Sequence, residues 1–265
     1  MSKIPDLRKE VTVFVITIGA PSFNDCMKNL KKQDCRFNLE IIKNQAPLSK
    51  ALQCMLDRCR TPYFVQVDED MILNSDAVRR QYYNITNTPK KVAIFTSHLF
   101  DIHPQRLIYG FKIYRHEIVK NYPYQNVEAC EFDQISRFKK DGFIDKRVPI
   151  KQPLKISEDT LGYHGPMWEP LSIYERYFSL TTKQRRHSDE TPTTAAFWVK
   201  DYAKVYLKRF IDKRSELDLY AFMGIMAGML ASVEGRGAEK DFRKYGKTPG
   251  FNQVKKFVQT LNEQK

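Results

Sequence analysis

The run Val11–Ile18, VTVFVITI, is built from Val, Ile, Phe and Thr alone. A strand with water on one face alternates apolar and polar residues, so a run this uniformly apolar predicts a strand covered on both faces. Such a strand needs helices above and below it, and the sequence supplies them. Gly19-Ala20-Pro21 breaks the strand, Ser22–Lys32 reads as a helix, and Phe37–Ile42 as a second strand. Leu48–Cys59 then sets Ala51, Leu52, Met55, Leu56 and Cys59 on one helical face. Thr61-Pro62 stops that helix, and Tyr63–Val67 is a third strand. Strand, helix, strand, helix, strand at this spacing predicts right-handed βαβ units, hence an α/β fold on a mainly parallel sheet flanked by helices.

Farther on, Asp76–Asn84 predicts a helix, Val92–Ser97 a fourth strand, Arg106–Tyr114 an irregular hairpin around Gly110, and Asp133–Lys140 another helix. Past about residue 170 the pattern turns strongly helical, which predicts two regions, 1–170 and a helical C-terminal appendage 171–265. With 42% hydrophobic residues the chain can bury a real core, which excludes a disordered chain. Five cysteines, an odd number without CxxC spacing, argue against a zinc site or a disulfide framework and for a reducing compartment. The polar start MSKIPDLRKE has no signal-peptide core, so a cytoplasmic chain is expected. The net charge of +13 suits anionic partners: nucleotides, sugar phosphates, nucleic acid or an acidic lipid surface. Charge alone does not choose among them.

Asp68-Glu69-Asp70 follows the third strand directly and is itself followed by the apolar Met71-Ile72-Leu73. Three adjacent carboxylates between apolar runs are costly unless a cation pairs with them. In an open α/β sheet, ligands bind beyond the carboxyl ends of the strands, where these acids fall. Asp-x-Asp can present two oxygens to one hard cation such as Mg²⁺ or Mn²⁺, which shares its sphere with substrate phosphates. The plain alternative is an acidic surface turn.

The stretch Ile41–Leu73, IIKNQAPLSKALQCMLDRCRTPYFVQVDEDMIL, resembles the central block of inverting, family-two-like glycosyltransferases of the GT-A fold, and VTVFVITIGAP resembles their first strand and nucleotide-binding turn. The resemblance spans roughly residues 11–170. It implies a metal-dependent transferase that takes a sugar from a UDP- or GDP-sugar donor to a glycan or lipid-linked acceptor hydroxyl, with inversion. On this likeness Asp68, Asp70 and His164 (in LGYHGPMW) are the implied ligands of Mn²⁺ or Mg²⁺. Thr17, Ile18, Gly19, Asn44, Lys50, Asp68 and Glu69 are the implied contacts of the nucleotide sugar. Asp133, in CEFDQISRFKKDGF, matches the general base, with Glu131 a rival because Glu-Phe-Asp stands where the family has Glu-Asp. Each has a bland reading: Asp133 as a helix cap, His164 as a packed histidine, Lys50 as a solvated lysine. Tyr109, Phe111, Tyr114, Trp168 and Tyr174 offer sugar-stacking faces, although aromatics at such spacing are more often core.

The greasy stretch Leu217–Gly235 contains Gly224-x-x-x-Gly228, but its apolar run is too short to cross a bilayer and reads better as a core helix. The basic flanks Lys208–Arg214 and Lys240–Lys247 suit peripheral contact with the cytosolic face of an anionic membrane, or simply a solvated face. Three rival functions stay open, one of them a catalytically silent scaffold that keeps the fold. A sugar nucleotidyltransferase shares the sheet and the metal but usually opens on a Gly-rich phosphate loop, where this chain has only TIGAPSFND. A basic nucleic-acid-binding protein would match the charge, but no such motif is present, so no nucleic-acid partner is expected.

Overall fold

A computed structural model describes residues 4–186, 195–232 and 248–263. The chain divides between Met167 and Trp168 into two compact units.

The first unit is built on an eight-stranded mixed sheet. Strand β1 (Val11–Thr17) lies between its parallel neighbours β2 (Asn38–Lys43) and β3 (Tyr63–Asp68). Its side chains alternate between two cores. Val11, Val13 and Val15 pack on one face with Cys26 and Leu30 of helix α1 (Phe23–Leu30) and with helix α3 (Ala77–Thr86). Phe14 packs on the other with Ala51, Leu52 and Met55 of helix α2 (Leu48–Arg58). The all-apolar run thus has the two-sided cover that its composition demands.

After β3 come the three-residue strand β4 (Met71–Leu73), β5 (Val92–Asp101) and β6 (Arg106–Arg115), which is antiparallel to both β3 and β5. The expected irregular hairpin around Gly110 is instead this one continuous strand. Gly110 stands where Leu99 of β5 packs over the backbone, since an added Cβ there would come within 2.9 Å of the Leu99 side chain. A one-turn helix α4 (His116–Val119) leads to α5 (Cys130–Lys140), β7 (Ile144–Arg147) and β8 (Thr160–His164). The strand order is β2-β1-β3-β6-β5-β8-β4, with β7 also on β5. Helix α5 begins three residues earlier than expected, behind Ala129, which adopts a left-handed φ of 62°.

The second unit is all helical: α6 (Pro170–Arg186), α7 (Ala195–Lys213), α8 (Glu216–Leu230) and α9 (Phe251–Glu263). Gly224 and Gly228 let α8 close on α6, for a Cβ on Gly224 would lie 2.4 Å from the Tyr174 carbonyl oxygen. The greasy stretch is therefore a core helix in its described part, with Leu219, Tyr220, Ala221 and Ile225 buried. No helix among the described residues is long and apolar enough to cross a membrane. The basic flank Lys240–Lys247 lies outside the described residues. Of the aromatics offered for sugar stacking, Phe111, Tyr114 and Tyr174 are fully buried core residues.

Candidate active site

The carboxyl ends of β1, β2 and β3 lie side by side. Ile16 pairs with Asp68 across β1–β3, Thr17 with Lys43 across β1–β2, and the Asn44 N–H bonds the Thr17 carbonyl at 2.9 Å. This register gathers Thr17, Ile18, Gly19, Asn44 and the three acids along one sheet edge. Asn44 sits there with a φ of 53°, a left-handed conformation that asparagine tolerates, and is exposed, as is Lys50 in the first turn of α2.

The three acids then part company. Asp68 stays with the sheet: Gln66 Nε2 donates to its Oδ1 at 3.3 Å, and the Tyr114 hydroxyl donates to Gln66 Oε1 at 2.7 Å. Burial, then the neighbouring Asp70 and Glu131, push the Asp68 carboxyl above the usual carboxylate range, while Gln66 and Lys112 pull the other way. Burial, then Asp70, Asp68 and Glu69, likewise hold the Cys26 thiol up at about 12, which makes it inert rather than nucleophilic.

Asp70 turns toward β8. Strand β4 pairs antiparallel with β8 so that Met71 faces His164, and the Gly165 N–H bonds the Asp70 carbonyl at 2.9 Å. The two strands approach so closely that a Cβ at Gly162 would come within 2.4 Å of the Ile72 carbonyl oxygen. As a result His164 Nε2 lies 3.3 Å from Asp70 Oδ2, although 94 residues separate them. His164 Nδ1 lies 3.4 Å from Asp101 Oδ2, and Asp101 is fully buried at the end of β5. Asp101 was missed in the sequence. Its signal is the one that exposes Asp68, an acid closing an apolar strand.

Glu69 goes the third way. Its Oε2 accepts from the Thr17 hydroxyl, from Gly19 N–H (3.1 Å) and from Ala20 N–H (2.7 Å); its Oε1 accepts from Ile18 N–H at 3.1 Å. The expected donor-binding acid thus spends both carboxylate oxygens on the turn after β1. For the same reason the amides of Ile18 and Gly19 face Glu69 instead of a ligand.

Across the edge stands α5. Lys112 of β6 faces Gln66 in the β3–β6 register and donates to Glu131 Oε1 at 2.5 Å. Burial works against the Lys112 charge, but Glu131 and then Asp68 and Asp145 more than offset it and raise its pKa. Lys112, also missed in the sequence, is the cation that the structure itself brings to the acids. Two positions along a helix are about 200° apart, so Glu131 and Asp133 face different ways. Glu131 is close enough to help raise Asp68. Asp133 pairs with Arg137 at 2.9 Å, and Arg137 also reaches the Pro123 carbonyl at 2.5 Å.

Among the described residues no group of three or more His, Cys, Asp or Glu is drawn together in a ready metal-binding arrangement. What the structure brings together is Asp70 with His164, and Asp68 close enough to feel Asp70. Carboxylate and imidazole are donor types that Mn²⁺ or Mg²⁺ accepts, and Asp70 with His164 is the pair in contact here, with Asp68 nearby.

No family model matches the chain, and no curated protein matches it. Solved structures do. The mannosyltransferase PcManGT from Pyrobaculum calidifontis, in complex with GDP-Man and Mn²⁺, aligns over 86% of this chain and 78% of its own, with a TM-score of 0.50 and 12% identity. At that identity the likeness speaks for the fold, and with the mixed sheet and its flanking helices it makes this the GT-A fold. Weaker likenesses run to S. aureus TarS (residues 1–349; TM-score 0.43, 11% identity, covering 83% of this chain and 80% of that one). They also reach the 4-diphosphocytidyl-2C-methyl-D-erythritol synthase of Anaerococcus prevotii (TM-score 0.39, 6% identity, 53% and 88%).

Proposed function

We propose that this chain is a metal-dependent glycosyltransferase that moves a sugar from a nucleoside diphosphate sugar to an acceptor hydroxyl with inversion. The observation that carries the reading is the meeting of Asp70 and His164 from distant parts of the chain, beside Asp68, at the carboxyl ends of the strands. A fold that binds ligands at that edge supports reading these side chains as metal donors beside a departing diphosphate.

Asp70 and His164 would hold Mn²⁺ or Mg²⁺, with Asp68 completing the set. The bound ion supplies Lewis-acid neutralisation of the departing diphosphate. The edge formed by Thr17, Ile18, Gly19 and Asn44 would seat the nucleoside through groups other than the hydroxyl and amides that Glu69 occupies, with Lys50 near its phosphates. Both candidate bases are ion-paired, Glu131 with Lys112 and Asp133 with Arg137, and Glu131 is taken as the base because it lies close enough to Asp68 to raise it. With Oε1 fixed by Lys112, Glu131 would accept the acceptor's proton at Oε2 as the hydroxyl oxygen attacks in one step, which inverts the anomeric centre. Donor chemistry belongs to the first unit; the basic helical unit is assigned to the acceptor or to a membrane surface.

The nucleotidyltransferase alternative loses ground at Glu69. A phosphate-cradling first turn needs open backbone N–H groups, and here they are taken by a carboxylate.

The test is a thermal-stability screen with Mn²⁺ and UDP, GDP, TDP or CMP. A shift that requires both metal and one nucleotide, and vanishes in Asp70→Ala, supports the transferase. A shift with oligonucleotides alone overturns it in favour of a nucleic-acid-binding protein.

A further inference from the structure

Three successive backbone N–H groups, those of Ile18, Gly19 and Ala20, converge on one side chain, Glu69. Convergent amides of this kind form an anion-binding concavity. In this protein the anion is built in. The Thr17 hydroxyl adds a fourth donor, and Gly19 N–H also reaches Thr17 Oγ1 at 2.9 Å, so the turn has few ways to relax. Glu69 is nearly buried, and in the chain it stands between Asp68 and Asp70.

We infer that Glu69 is a positioning residue. Its carboxylate fills the amide concavity of the β1 turn and thereby locks the nucleoside-binding edge to the metal-binding acids in one register. The inference rests on the glycosyltransferase reading for what is positioned, but the filled concavity itself does not. The bonds of Glu69 fix where residues 68 and 70 leave the sheet. A displacement of about 1 Å in such groups is enough to lower activity on the order of a hundredfold. Because the concavity is shaped for a carboxylate, removing the side chain should leave an opening that a small free carboxylate can fill.

The experiment uses Glu69→Ala and titrates Mn²⁺-dependent nucleotide binding, with formate or acetate against chloride at equal ionic strength. The expected result is at least a tenfold loss of nucleotide affinity in Glu69→Ala, recovered severalfold by formate. Wild type and Asp70→Ala should not respond to formate. Unchanged affinity in a folded Glu69→Ala, or a loss that neither carboxylate repairs, overturns the inference. If Glu69→Ala does not fold, Thr17→Val removes one donor and keeps the chain intact; a severalfold weaker nucleotide affinity is then expected, and wild-type affinity rejects the lock. If wild type binds no nucleotide with metal, the transferase reading has failed. The filled concavity is then judged by melting temperature, which formate must raise in Glu69→Ala and leave unchanged in wild type.

Discussion

Both units hold carboxylates wholly or partly out of water, and they treat them in opposite ways. In the helical unit, Asp218 is almost wholly buried and Arg209 meets it at 3.1 Å, over the ring of Tyr206. In the sheet unit, Asp68 and Asp70 are set against each other, with Lys112 shared between Asp68 and Glu131. A neutralised buried acid is architecture, because breaking the pair strands a charge in the interior. Among the described residues Asp68 has no such direct ion pair: burial and then Asp70 raise its pKa, and perturbed groups of this kind cluster where ligands bind. The contrast separates a residue that holds the fold from one that awaits a partner.

Breaking the first kind of acid should be the more damaging. Arg209→Ala is expected to destabilise the helical unit by about 3–5 kcal/mol, read by chemical denaturation, while Mn²⁺-dependent nucleotide stabilisation of the surviving fold persists. Gly224→Ala comes next, at about 2 kcal/mol, because its new methyl would collide with the Tyr174 carbonyl rather than with a movable side chain.

Removing an acid of the second kind should have the opposite sign. Asp68→Asn relieves the repulsion and should raise the metal-free melting point, by about 1 kcal/mol of stability, while abolishing the response to Mn²⁺ plus nucleotide. If it lowers stability instead, Asp68 is architecture after all. The smallest effect is in pH. The folded-state pKa of Asp68 is raised above its unfolded value. Its contribution is therefore favourable at low pH and is lost as pH rises through the folded pKa, from the ordinary carboxylate range upward. Metal-free protein should lose a little stability across that window, and the stabilisation by Mn²⁺ should grow over the same window. Melting curves with and without the ion, from about pH 4 to about pH 7, check both slopes.

Much of the first unit was legible because one physical constraint spoke loudly. A strand covered on both faces leaves nothing polar to confuse the pattern, so β1, α2 and β3 are found within a residue of where the sequence puts them. The strands β4, β7 and β8, three to five residues long and in the last two cases partly polar, carry too few residues for a period to show. The early start of α5 was hidden by Ala129, since a left-handed residue is expected to be glycine or asparagine.

At the site, sequence spacing could place Asp68, Glu69 and Asp70 at the end of a strand but not say where each points. A turn follows β3, and in a turn the alternation of a strand no longer fixes direction. The choice between Glu131 and Asp133 was likewise closed to spacing alone, because it depends on which helix face meets β6. Lys112 pairs with one and Arg137 with the other.

The narrow crossing at Gly162 has a practical reach. Any side chain there would pry two strands apart and carry an imidazole away from its carboxylate, without touching a single reacting group. Anyone lining up related sequences should therefore ask for a missing methyl at this spot before counting acids.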